Sequence, residues 1–180
     1  IIIVTADHGE EFQEHGFLKH GQSLHTELVR VPLLVAGPGI PTGRRPQQVQ
    51  GIDLYPTLAQ LLDFPTHAAI RGRDLVAPLD GDATVISETA HAVGDGGATV
   101  DSIALRTPEW TLLAHPASHR YALFHRPDDP QEHHDRFATD AAAAPLVAEL
   151  DHRLAAAPPA PHFAAVASDV HERLRTLGYA

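Results

Sequence analysis

The sequence predicts an α/β fold: a mainly parallel sheet, incomplete within this chain, followed by a small antiparallel sheet with helices. Three observations carry that prediction. Ile1 to Val4 is a short β-branched run, which is how a strand buried on both faces of a parallel sheet reads. Val31 to Ala36 repeats that text after a helical segment. From Thr84 the texture changes to short apolar runs separated by turn residues, the pattern of an antiparallel subdomain. The expected division is residues 1–83 for the α/β portion, 84–140 for the antiparallel subdomain and 141–180 for closing helices.

The first strand stops at Thr5-Ala6, and Asp7, His8 and Gly9 follow. In open α/β sheets ligands gather just beyond the carboxyl ends of the strands. A carboxylate beside an imidazole is a natural pair of ligands for a divalent metal, so Asp7 and His8 are metal-ligating candidates. Gly9 is expected to let the backbone turn tightly after them. Glu10, Glu11, Glu14, His15, Lys19, His20 and His25 add acid and imidazole close by.

Ser23 to Arg30 predicts a short helix with Ser23 as N-cap and Thr26-Glu27 in its first turn, ended by Pro32. Gly37 to Pro41 is a loop, and Thr42 to Gln48, with Arg44 and Arg45, is expected on the surface. Asp53 predicts the N-cap of a helix with Pro56 in its first turn and an apolar stripe of Leu54, Leu58, Leu61 and Leu62. That block reads as scaffold. Four strands are expected at Val85 to Thr89, Ser102 to Arg106, Trp110 to His115 and Arg120 to Phe124, with turns at Gly94 to Gly97 and Pro116 to Ser118. Leu146 to Ala156 and Ser168 to Tyr179 have helical spacing on either side of a Pro-rich segment.

A chain of 180 residues suffices for one domain with a real core. Its net charge of −10 argues against nucleic acid or an anionic membrane as the main partner. An anionic substrate stays open, because a bound metal inverts the local charge. There is no Cys, hence no disulfide framework. The 14 His residues are scattered and are expected mostly on the surface; without a repeated ligand spacing they do not suggest a metal store. With no Met and a strand at its start, the chain is expected to be the C-terminal part of a longer protein. No apolar run approaches a membrane span.

The ordered text of residues 5–39 narrows the reading. Thr5-Ala6-Asp7-His8-Gly9-Glu10, then His20-Gly21, Arg30-Val31-Pro32-Leu33 and Pro38-Gly39 resemble the metal-binding segment of the sulfatase family, bacterial type, within the alkaline phosphatase superfamily. Asp53-Leu54 with Pro56-Thr57, Arg71 to Leu75, Arg106-Thr107, Asp129-Pro130-Gln131-Glu132 and the ending Leu174 to Tyr179 extend the likeness along nearly the whole chain. The resemblance implies an alkaline-phosphatase-like sandwich and metal-dependent hydrolysis of sulfate esters. It makes Asp7 and His8 ligands of one or two divalent metal ions (Ca, Mn or Zn), with His8 favouring a transition metal.

It also places His20 where the family has a Lys or His that binds the ester oxyanion or assists the leaving group. Lys19 is the competing substrate-binding candidate. His15 and His25 are expected to be bystanders, and Glu10 to cap or orient the loop. The implied partner is a small-molecule, glycan or lipid sulfate or phosphate ester, and the compartment periplasmic or extracellular. The family's nucleophile, a formylglycine made in a C/S-x-P-x-R sequence, has no counterpart in these residues. The chain is therefore expected to carry half a site and to be inactive alone. Two other readings stand beside this one: a phosphoester or phosphonate hydrolase or phosphoethanolamine-type transferase of the same superfamily, and a non-catalytic binding module.

Overall fold

The computed structural model describes residues 1–66, 70–81, 83–92 and 98–156. Its first strand, β1 (Ile2–Thr5), is followed by a two-residue-strand hairpin, β2 (Glu11–Phe12) and β3 (Leu18–Lys19), and by a single helical turn, α1 (Thr26–Val29). The chain then returns as β4 (Leu33–Ala36) beside β1.

The pairing of β1 with β4 is antiparallel, with Ile2 opposite Ala36 and Thr5 opposite Leu33, and the described residues hold no parallel pair. Parallel neighbours need a crossover that carries the chain from one end of the sheet to the other. Here the excursion between the strands leaves and re-enters at the same end, where Thr5 meets Leu33. Nor are these strands buried on both faces by this chain. Ile2, Val4 and Leu34 remain 67%, 52% and 61% exposed.

Two local expectations change in a way that matters for the site. Ser23 does not cap α1. His25 holds that position, while the Ser23 hydroxyl donates to Glu11 Oε1 at 2.7 Å and accepts the His25 N–H at 3.3 Å. Gly9 is required for close approach rather than for a turn. Its N–H donates to the Leu28 carbonyl at 2.7 Å, and a Cβ there would fall 1.9 Å from the Glu27 carbonyl oxygen. The Asp-His segment is thereby pressed against α1.

A 3₁₀ turn (Gly51–Asp53) leads into α2 (Leu54–Leu62). Its scaffold character is visible in the bonds. The fully buried Asp53 accepts the N–H groups of Gln50 and Arg73 at 3.0 and 2.7 Å. The Thr57 hydroxyl donates to the Asp53 carbonyl at 2.6 Å and accepts the Leu75 N–H at 2.9 Å. Gly72 lies so close that a Cβ would meet the Ile52 carbonyl oxygen at 2.1 Å. The Asp53–Thr57 and Arg71–Leu75 blocks are thus one hydrogen-bonded unit. The buried face of α2 is Thr57 and Ala59, and Leu62 of the expected leucine stripe is exposed.

The core lies in the second half. Strands β5 (Val85–Ala92), β6 (Ala98–Arg106), β7 (Trp110–His115) and β8 (Arg120–His125) form an antiparallel sheet in chain order. Alternation along the strands gives the sheet two faces. One face, with Ile103, Leu105, Leu112, Ala114 and Leu123, packs on α3 (Ala143–Ala155) through Ala143 and Leu150. The other, with Ala104, Leu113 and Phe124, packs on Leu24 and Val29 around α1. Each fully buried leucine stabilises by about 1.5–3 kcal/mol. The core sheet therefore fixes the position of α1, against which the Asp7–His8–Gly9 segment lies. The expected turn at Gly94 to Gly97, the Pro-rich segment and the helix at Ser168 to Tyr179 lie outside the described residues. No described helix is long and apolar enough to cross a membrane.

Candidate functional site

Asp7 and His8 emerge where β1 ends. The Asp7 Oδ1 accepts the backbone N–H of His8 at 3.0 Å. That bond, and after it the backbone N–H of Asp7 itself, hold the Asp7 carboxyl below its ordinary value. The His8 Nδ1 lies 2.9 Å from the Gly9 carbonyl oxygen. A carbonyl only accepts, so Nδ1 carries the proton and Nε2 keeps its lone pair. Nε2 stands 3.7 Å from Asp7 Oδ2. Ligands at about 2.0–2.2 Å from a metal lie about 3–4 Å apart, so the two donors suit a single divalent ion. A ligating His typically gives its other N–H to a carbonyl or carboxylate, as His8 does here.

His20 follows β3 and brings its ring centroid to 4.1 Å from that of His8. Its Nδ1 is 2.6 Å from Glu10 Oε1. The carboxylate accepts, which places the proton on Nδ1 and leaves Nε2 free to receive one. Glu10 therefore orients His20, a specific pairing that the sequence reading did not identify. His8, Glu10 and His20 each offer a ligand atom, all within 4.8 Å of one another. The structure thus brings Asp7, His8 and His20 together. Lys19 does not join them: it is exposed in β3 with φ of 71°, opposite Glu11 in the hairpin.

Glu11 begins β2, and its side chain is 1% exposed, unlike that of Glu10. The latter faces solvent and His20. Successive side chains of an extended segment point to opposite sides. Near Glu11 lie His15 and Glu27, again with ligand atoms within 4.8 Å. His15 and His25, expected as bystanders, are largely buried and stacked at 3.5 Å with ring planes 2° apart. His15 Nδ1 lies 2.6 Å from Glu27 Oε1, and its Nε2 lies 3.1 Å from the Glu132 carbonyl. His25 Nδ1 donates to Glu132 Oε2 at 3.1 Å.

Glu132 is 2% exposed. Burial pushes its carboxyl up, but the His25 hydrogen bond and the Arg106 charge outweigh that and hold it below its ordinary value. His15 is pushed down by burial and raised more by the Glu27 hydrogen bond and charge, for a net rise.

The sulfatase family model matches residues 1–64. Arylsulfatase K of Mus musculus is 31% identical over 148 residues, 73% of this chain and 26% of that protein. The chain thus spans about a quarter of the length of this curated relative. A solved 2-O GAG sulfatase superposes with a TM-score of 0.70 at 25% identity, covering 85% of this chain and 35% of the other. The phosphonate monoester hydrolase of Agrobacterium radiobacter superposes with a TM-score of 0.67 over 85% of this chain and 34% of its own; at 18% identity that likeness is one of fold. The strands and helices seen here accordingly match about a third of each of those larger chains. The matched segment holds Asp7, His8, Glu10 and His20, and by that segment, its relatives and its fold the chain belongs to the sulfatase family.

Proposed function

We propose that the full-length protein hydrolyses sulfate esters, with Asp7 and His8 holding a divalent metal and His20 facing the ester. One observation carries this: within the segment matched to sulfatases, the His8 Nε2 lone pair stands 3.7 Å from Asp7 Oδ2, with the His20 ring 4.1 Å from that of His8. The bound metal would neutralise the negative charge that builds on the ester oxygens as the bond breaks. The chain's own residues supply the rest. Asp7 stays ionised because the His8 amide stabilises its carboxylate. His8 presents one neutral nitrogen because Gly9 holds the other. Glu10 fixes the Nδ1–H of His20, so that Nε2 faces the ester and, after taking up a proton from solvent, donates it as a hydrogen bond to the ester oxygen or hands it to the leaving group.

The imidazole of His8 points to a transition metal rather than calcium. The 2-O GAG sulfatase likeness supports a glycan or small-molecule sulfate as substrate. The nucleophile, and any formylglycine, lie in residues other than these, which contain neither Cys nor an S-x-P-x-R sequence. His8 as an imidazole donor also favours a second reading, a phosphonate or phosphate ester.

Assaying the full-length protein against an aryl sulfate and an aryl phosphonate monoester separates the two readings. Faster turnover of the sulfate is expected. Preference for the phosphonate transfers the reading to the second class. Turnover of neither, with metal bound, would leave a binding module.

A further inference from the structure

We infer that Glu11, His15 and Glu27 form a second divalent-cation site, separate from the Asp7–His8 pair and independent of the ester chemistry. The argument begins with the proton on His15. Its Nε2 faces the Glu132 carbonyl at 3.1 Å, and a carbonyl can only accept, so Nε2 is the protonated nitrogen. In the neutral ring Nδ1 is then a lone pair. Yet Nδ1 stands 2.6 Å from Glu27 Oε1, which is also an acceptor when ionised. Two lone pairs at that distance repel, so a positive centre belongs between them: a proton, or a metal ion.

Glu11 decides between the two. It is 1% exposed, and only its Oε1 is engaged, by the Ser23 hydroxyl at 2.7 Å. Its Oε2 is buried without a hydrogen-bond partner, a costly state for a carboxylate oxygen. A proton on His15 satisfies Glu27 and leaves this oxygen orphaned. A cation bound by all three residues satisfies both.

The charges agree. The buried guanidinium of Arg106 pairs with Glu132 at 3.3 Å. Among the described residues no Lys or Arg pairs with Glu11 or Glu27. Arg106 reaches Glu27 through its charge alone, so two largely buried carboxylates lack a directly paired guanidinium or ammonium, which is unfavourable unless a cation joins them.

The geometry needs only a small adjustment. The three ligand atoms already lie within 4.8 Å of one another, against about 3.3 Å between ligands of a tetrahedral ion at about 2.0–2.1 Å. The outer partners are those that ligands use: Nε2–H of His15 on a carbonyl, Glu11 on a hydroxyl. Stacking on His25 holds the imidazole plane. One nitrogen and two carboxylate oxygens suit zinc, manganese or iron(II) better than calcium or magnesium.

The test uses untagged full-length protein carrying Asp7→Ala and His8→Ala, so that metal at the first pair is not counted. After chelation and dialysis against Zn²⁺, one tightly held equivalent is expected by elemental analysis. Co²⁺ in its place is expected to give visible d–d absorption. Adding Glu11→Gln is expected to remove that equivalent while far-ultraviolet circular dichroism is retained. If Glu11→Gln does not fold, Glu27→Gln in the same background is read in its place. No zinc retained by the folded background protein would overturn the inference and leave a proton on His15. Undiminished zinc in the folded third-position variant would do the same.

Discussion

His25 Nδ1 donates to Glu132 Oε2 at 3.1 Å across 107 residues of sequence. The same oxygen takes the N–H of Thr26 at 3.0 Å, and Oε1 takes Arg106 at 3.3 Å. Glu132 therefore ties the start of α1 to the core sheet, and through α1 to the Gly9 backbone beside Asp7 and His8. Replacing it by Gln keeps the shape and leaves the buried Arg106 without its counter-charge. Losing one partner of a buried pair costs about 3–5 kcal/mol. Urea unfolding of full-length Glu132→Gln is expected to show a loss of that order, whereas Glu14→Gln on the exposed hairpin turn should leave the urea midpoint nearly unchanged.

The pH dependence of that tie has a definite sign. The Glu132 carboxyl is held below the model-peptide value of 4.5 in the folded state. Its contribution is then complete above pH 4.5 and is lost as pH falls through the folded value. In chelator-treated protein the urea midpoint should fall more steeply below pH 4.5 for the wild type than for Glu132→Gln. Parallel curves would show that Glu132 does not titrate as argued.

Gly9 and Gly72 are fixed by neighbouring backbone. A methyl at Gly9 would meet the Glu27 carbonyl oxygen at 1.9 Å, and one at Gly72 would meet that of Ile52 at 2.1 Å. Gly9→Ala is expected to cost at least the 1–3 kcal/mol typical of overpacking and to lower activity by displacing Asp7 and His8. Gly16→Ala serves as a comparison: its methyl meets nothing within 4 Å, although its φ of 85° adds backbone strain. Equal effects on activity would argue against a tie between Gly9 and the site.

The β1–β4 pair exposes Ile2, Val4 and Leu34. An uncovered hydrophobic strand pair invites association. The isolated 180-residue chain is expected to self-associate in sedimentation velocity, and Ile2→Lys with Leu34→Lys to reduce that association. A monomeric chain with a sharp cooperative thermal transition would contradict this.

Much of the core sheet was legible because its strands alternate and turn residues punctuate them; β7 (Trp110–His115) has the expected bounds, and β8 ends one residue later than expected. Asp7, His8 and His20 stand out as candidates because the segment around them is a continuous ordered motif. What failed to show was long-range. No local pattern tells that Glu132 will reach His25, or that Glu10 rather than a surface water will orient His20. The antiparallel pairing of β1 with β4 did not show, because β-branched text signals burial and not the sense of pairing. Ser23 looked like a helix cap, but a buried carboxylate, Glu11, claimed its hydroxyl.

The most direct test compares kcat/KM for an aryl sulfate between the full-length protein and its Asp7→Ala and His20→Ala variants, with metal content measured alongside. The account predicts loss of the first-site metal and at least about 100-fold lower kcat/KM for Asp7→Ala, a loss of about 2.7 kcal/mol of transition-state stabilisation or more. For His20→Ala it predicts a fall of about 10²–10⁴ with metal retained. Wild-type sulfate hydrolysis in a metal-free Asp7→Ala protein would contradict it.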